Sequence, residues 1–310
     1  MISYLKTRIL ASAATLLVVL HPAAGHCAPV PASAAATPAV QMDHISIVAM
    51  GANKPGASPV ILIPGLSSPR ATWDGIAPEL ATTHRVYLVQ VNGFGGDDPR
   101  ANLQPGILNG IVADLSAFIA REKIVKPAIV GHSMGGLAGL MFAKAHPDQV
   151  GRLTIVDSLP FIGTLFAPTA TVAMVEPQAK AIAAQMASGY GKPANPAAAE
   201  ATAKGLALKP ESQAKAAAWF AAADPRVSGQ ALYEDMTTDM RPDLPGIATP
   251  ITLVYAYSAG LPRERADAVF QGSFKPAPNV TFVPVGDSMH FIMLDQPAAF
   301  QAAMTAFLAK

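Results

Sequence analysis

The run Ala128-Ile129-Val130-Gly131-His132-Ser133-Met134-Gly135-Gly136 starts apolar, passes through a G-x-S-x-G turn, and continues into helical spacing at Leu137, Leu140 and Met141. That order predicts a buried strand, a sharp turn and a helix, with Ser133 at the tip. So tight a turn strains the serine backbone and brings neighbouring backbone close, which favours flanking residues without side chains. It also lifts Oγ clear of the sheet, beside the first N–H groups of a helix, where developing negative charge is stabilised. The same pattern occurs as an ordinary glycine-flanked helix cap. Its weight therefore depends on what the rest of the chain supplies.

Outward from this turn, strand and helix patterns alternate. Pro59–Ile63 (P-V-I-L-I), Arg85–Val91 (R-V-Y-L-V-Q-V) and Arg152–Val156 (R-L-T-I-V) are short apolar runs suited to strands buried on both faces. Gln41–Ala49 reads as a first strand, Arg70–Leu80 as a helix, and Pro105–Lys123 as an amphipathic helix with its stripe at Ile107, Leu108, Ile111, Leu115, Phe118 and Ile119. From about Pro160 to Gly246 the β-branched runs vanish. Ala-rich helical segments such as Glu176–Ser188, Ala197–Leu206 and Glu211–Ala223 take over. Strand patterns return at Pro250–Tyr257 and Val280–Val285, and a helix at Pro297–Leu308 ends the chain. The pattern implies an α/β fold with a mostly parallel, doubly wound sheet, whose sites form at the carboxyl ends of strands. Residues 160–246 read as a helical lid inserted above that edge, dividing a core into 41–159 and 247–310.

Composition bounds the rest. With 310 residues, half of them apolar, the chain can bury a sizeable core, and a formal charge of +1 gives no basic face for nucleic acid. The Gly93–Gly96 cluster lacks the spacing of a phosphate loop and reads as a tight turn. No histidine or cysteine cluster has metal-ligand spacing, and no metal or organic cofactor is implied. At the N-terminus, Lys6 and Arg8 precede an apolar run from Ile9 to Leu20 that Pro22 stops, too short for a spanning helix. Residues 1–25 are expected to be an export signal, with a cut after Gly25 or after Ala35. The Pro/Ala-rich residues 26–40 read as a linker. The mature chain is thus expected outside the cytoplasm, periplasmic or secreted, without stable membrane insertion and with a small-molecule substrate. The single Cys27 excludes an intrachain disulfide.

Five motifs together resemble the α/β-hydrolase superfamily: I-P-G-L at Ile63–Leu66, N-G-F-G-G at Asn92–Gly96, G-H-S-M-G-G at Gly131–Gly136, V-D-S at Val156–Ser158, and S-M-H-F at Ser288–Phe291. The resemblance covers essentially all of residues 41–310 and is strongest to capped esterases and C–C bond hydrolases. It implies a serine nucleophile at Ser133. Related enzymes that cleave epoxides or haloalkanes carry an aspartate there.

A serine hydroxyl needs an adjacent base, and His290 follows the last strand in the loop Gly286–His290 at the same sheet edge. His132 adjoins Ser133 but should point away, as a structural residue. The resemblance puts the third member, an acid, most often just after the strand ending at Tyr257. Here Ser258-Ala259-Gly260-Leu261 carries no carboxylate, which departs from the pattern. Glu264 and Asp267 lie on the next helix and read as solvated. Asp157 is the other position from which the fold recruits an acid, in the order Ser…Asp…His, although a plain cap at a strand end would look the same. Asp287 and Asp295 suit turn and helix-start roles. The oxyanion hole implied by the fold uses the backbone N–H groups of Leu66 and Met134. In the lid, Phe161, Phe166, Met174, Met186, Trp219, Phe220, Met236 and Met240 are expected to be mostly core, with a fraction lining an apolar pocket. Arg70 and Arg100 read as surface. The function this supports is hydrolysis of small to medium apolar carboxylic esters through an acyl-enzyme. Diketone C–C hydrolysis, acyl transfer, and a non-catalytic binding protein are the alternatives.

Overall fold

Strands β1 (Val40–Gln41), β2 (Ile45–Met50), β3 (Pro59–Ile63), β4 (Arg85–Val91), β5 (Ala128–His132), β6 (Arg152–Val156), β7 (Ile251–Ala256) and β8 (Val280–Val285) form one sheet in the order β1-β2-β4-β3-β5-β6-β7-β8. β2 pairs antiparallel with β1 and β4, and every later pairing is parallel. This computed structural model describes residues 39–51, 58–193 and 195–309, so the export signal at 1–25 lies outside the described residues. Of the segment 26–40 only the last two residues are described, and the second of them, Val40, already belongs to β1.

The continuous apolar runs are explained by a sheet covered on both sides. In β3, Ile61 and Ile63 enter one buried cluster, while Val60 and Leu62 enter another. The first cluster is completed by α2 (Ile107–Arg121), α3 (Met134–Ala145) and α8 (Arg263–Phe274). The second is completed by α1 (Ala77–Leu80), α9 (Ile292–Asp295) and α10 (Pro297–Leu308). Two segments break where the sequence reading ran them together. The first strand divides at a turn in which the Met42 N–H bonds to the Ile45 carbonyl at 2.9 Å. Arg70–Leu80 is a 3-10 turn at Arg70–Trp73 followed by α1, because Gly75 interrupts it and Pro78 suits only a first helical turn.

Between β6 and β7 the chain is helical: α4 (Val172–Ala187), α5 (Pro196–Leu206), α6 (Pro210–Ala222) and α7 (Pro225–Thr237). They pack as two pairs, α4 with α7 and α5 with α6. α7 is fastened to the core along its length. The Asp224 N–H bonds to the Gly93 carbonyl at 2.7 Å, Ser67 donates to Ser228 at 2.8 Å, and the Glu234 carboxylate accepts the N–H groups of Gly106, Ile107 and Leu108. Glu234 thus caps the start of α2 from another element, where free N–H groups and the helix dipole favour an anion. Among the described residues, no helix is long and apolar enough to cross a membrane.

Candidate active site

The strand order reverses between β3 and β5, because the chain leaves β3 toward β4 on one side and β5 toward β6 on the other. Such a switch point opens a crevice at the carboxyl ends of its two strands. Ser133 stands there, directly after β5, with φ 53° and ψ −124°. The glycines around it are required by contact. A Cβ on Gly131 would lie 2.1 Å from the Gly135 carbonyl oxygen, and one on Gly135 would lie 2.5 Å from the carbonyl oxygens of Ile63 and Pro64. No side chain fits in either place.

The turn after β3 lies against the serine. A Cβ on Gly65 would sit 3.0 Å from the Ser133 Cβ, and the turn closes by a Ser68 N–H bond to the Gly65 carbonyl at 3.2 Å. Among the described residues, neither the Leu66 N–H nor the Met134 N–H, the first of α3, has a protein acceptor. These are the two donors that the sequence singled out.

Asp157 follows β6 in the left-handed region at φ 46°, a conformation that Asp tolerates better than most residues. Its Oδ1 accepts the Ala256 N–H at 2.9 Å, and its Oδ2 accepts from His290 Nδ1 at 2.8 Å. The two side chains are only 12% and 22% exposed, so the pair is substantially shielded from water. With Nδ1 committed to Asp157, Nε2 is the imidazole nitrogen left for chemistry. No hydrogen bond joins His290 to Ser133 among those of the described residues. A contact of that kind can be long in an enzyme without substrate and tighten when substrate binds.

His132 is fully buried, its ring centroid 4.5 Å from that of His290. Its Nε2–H donates to the His290 backbone carbonyl at 3.0 Å, while Nδ1 has no partner. Burial, and then the neighbouring His290, hold its pKa well below the ordinary histidine value. His132 therefore stays neutral and holds the His290 backbone in place. The same loop is fixed from below by Asp295, fully buried, whose carboxylate accepts the N–H groups of Met289, Leu208 and Lys209 at 2.9–3.1 Å. The Phe291 N–H adds a 3.2 Å bond to the Leu206 carbonyl.

Several expectations change. Asp267 is partly exposed but engaged locally: Tyr255 donates to it at 2.5 Å and Arg263 at 2.8 Å, which keeps its carboxyl low. Arg70 is half-buried rather than on the surface, bonded to Ser46 Oγ at 2.5 Å. Phe166 and Met174 point outward at 58% and 65% exposure, so neither lines an interior pocket. Trp219 and Phe220 instead reach the site's neighbourhood, their rings packed on Phe291 at 5.9 and 6.1 Å. The sequence reading missed Asp235, on α7. It is 8% exposed, and burial pushes its carboxyl up to about 7 against the pull of His290. Within Tyr233-Glu234-Asp235 nothing in the sequence separates it from a solvated acidic pair.

A sequence profile of the alpha/beta hydrolase family matches residues 60–303, and the chain belongs to that family. Among curated relatives, a 2-hydroxy-6-oxononadienedioate/2-hydroxy-6-oxononatrienedioate hydrolase of Cupriavidus pinatubonensis is 33% identical over 127 residues, 37% of this chain and 41% of its own. A pimeloyl-[acyl-carrier protein] methyl ester esterase of Aeromonas hydrophila is 32% identical over 101 residues, 33% of this chain and 38% of its own. The matched stretches thus span well under half of these relatives. Similar solved structures include an enol-lactonase from Burkholderia xenovorans (TM-score 0.69, 19% identity, 86% of this chain and 96% of that one). Another is a thermophilic esterase from Thermogutta terrifontis (TM-score 0.70, 21% identity, 88% of this chain and 98% of that one). At these identities the likeness is one of fold.

Proposed function

We propose that this chain is a serine hydrolase of small to medium apolar carboxylic esters, with Ser133 as nucleophile, His290 as base and Asp157 as orienting acid. The observation that carries the reading is the 2.8 Å His290–Asp157 contact at the strand edge where Ser133 stands. His290 Nε2 takes the hydroxyl proton as Ser133 Oγ attacks the carbonyl carbon, and the N–H groups of Leu66 and Met134 receive the negative oxygen. The tetrahedral adduct collapses, the proton passes from His290 to the departing alkoxide, and the acyl group remains on Ser133. Water, deprotonated by the same nitrogen, then releases the acid. Asp157 keeps the imidazole in the tautomer that this sequence needs and stabilises its protonated form. Residues 160–246 serve as the lid, and the chain works after export. The esterase name of the Aeromonas relative agrees with this reading.

The test is p-nitrophenyl ester hydrolysis across acyl lengths by wild type and Ser133→Ala, with fluorophosphonate labelling alongside. Wild-type turnover and labelling that both vanish in the variant are expected. Full activity in Ser133→Ala would end the proposal. Hydrolysis of a keto-dioate is the second reading, favoured by the 33% identity to the Cupriavidus hydrolase, and turnover of such a compound without ester turnover would replace the first.

A further inference from the structure

Asp235 is a buried carboxyl that the scheme above does not use. Neither of its oxygens has a hydrogen-bond or ion-pair partner among the described residues; only 8% of the residue's surface is accessible, and the oxygens keep a little of that access. Elsewhere in this molecule the buried and part-buried carboxylates are heavily engaged. Asp295 and Glu234 each accept three backbone N–H groups, and Asp157 accepts one N–H and one imidazole. An unpaired buried carboxyl is expensive to keep in a folded protein, so a chain that keeps one gains something else from it.

Its place on α7 says what that is. Asp235 comes seven residues, nearly two turns, after Ser228, and so lies on the same face of the helix about 10 Å further along. Ser228 bonds to Ser67, the residue after Leu66 in the turn beside Ser133. That face of α7 is therefore turned toward the site. Among the titratable groups, His290 is the one whose electrostatic pull on Asp235 partly opposes the effect of burial. The other acids of α7 and its partner helix are spent on other faces, Glu234 on the start of α2 and Glu176 on Tyr233 and Lys180. With Glu234 capping α2 at one end and Asp224 bonded to Gly93 at the other, α7 holds this carboxyl in a fixed position.

We infer that Asp235 is a substrate-binding residue, accepting a hydrogen bond from a hydroxyl group carried by an otherwise apolar ester. The inference rests on the hydrolase reading and narrows it to hydroxylated esters or the corresponding lactones. A carboxyl without a protein partner gains from a substrate donor what it lacks in the empty site. A bound substrate without that donor shuts off the little solvent its oxygens reach and leaves them unsatisfied, which is the arrangement that discriminates most sharply. The apolar surroundings, with Phe291 packed on His290 and Trp219 and Phe220 packed on Phe291, suit the remainder of such a substrate.

The deciding experiment is calorimetric binding of methyl 3-hydroxybutyrate and methyl butyrate to the catalytically silent Ser133→Ala chain, and to Ser133→Ala/Asp235→Asn and Ser133→Ala/Asp235→Leu. The hydroxylated ester should bind about tenfold more tightly than its partner in the first. That ratio should collapse toward one with Leu, and survive in large part with Asn, whose carbonyl oxygen still accepts. Both variants remove an unpaired buried carboxyl and should melt no lower than the parent, which guards against a folding artefact. An equal ratio in the parent and the Leu variant would overturn the inference. Because binding is read without turnover, this result is independent of whether Ser133 proves to be the nucleophile, which ester hydrolysis by wild type decides separately.

Discussion

Asp157 shows how much one residue's backbone can contribute. At φ 46° it turns its carboxylate back across the end of β7, where Oδ1 takes the Ala256 N–H and Oδ2 is left pointing at His290. One oxygen fixes the side chain and the other works on the imidazole. Asp157→Asn presents an amide to a ring that must keep its proton on Nδ1, and the wrong tautomer follows. Turnover should fall on the order of 10⁴-fold with little change in stability, read from kcat and a thermal melt on the same preparation. A loss of only a few-fold would remove Asp157 from the mechanism. No carboxylate directly follows β7, and it is Asp157 that reaches across that strand end to His290.

At the scale of elements, the histidine loop is held as firmly as the serine turn, but by different means. Ser133 is fixed by glycines that let backbone touch backbone. His290 is fixed by a neutral imidazole at its carbonyl and by a carboxylate beneath its loop. Asp295→Asn puts an amide where three N–H donors converge, so one donor must face an N–H instead of an oxygen. A loss of about 3 kcal/mol in denaturant unfolding is expected, with a parallel fall in ester turnover as the loop loosens. Unchanged stability and rate together would show that the loop holds itself. The strands were legible in the sequence because P-V-I-L-I and R-L-T-I-V can only be buried runs, and Ser133, Asp157 and His290 because each ends a strand or follows one. The contribution of α7 was not legible. Asp235, Glu234 and Ser228 are ordinary surface residue types, and the partners of Glu234 and Ser228 come from more than a hundred positions away, at Gly106 and Ser67.

For the whole molecule, two buried groups set opposing pH trends. Asp235 titrates at about 7 in the folded chain and near 3.9 when unfolded, so the native state binds more protons between those values. Its effect is to lower stability as pH rises from about 4 to 7, by about 4 kcal/mol at most. His132 acts the other way. Held neutral when folded, it takes a proton below its ordinary value only on unfolding, and so lowers stability as pH falls through about 6.5. The stability advantage of Asp235→Asn over wild type should therefore grow across pH 4–7 and then level off, and the variant alone should show the rising slope that His132 imposes. Urea midpoints at five pH values would show it. A constant difference between the two chains would mean that Asp235 does not titrate in this range.

The bonds from Asp295 to Leu208 and Lys209, and from Phe291 to Leu206, carry a consequence for modular exchange. Helical insertions in a shared core invite treatment as cassettes, swapped between relatives to trade one selectivity for another. In this chain the cassette also props up the loop that carries His290. A recombinant that accepts a foreign stretch in place of residues 160–246 would inherit an Asp295 with two of its three donors gone and a histidine loop without its brace. Such a hybrid should lose rate on every substrate at once. Residues 206–209 therefore belong with 286–296 as one heritable unit, and a crossover between them separates parts that function only together.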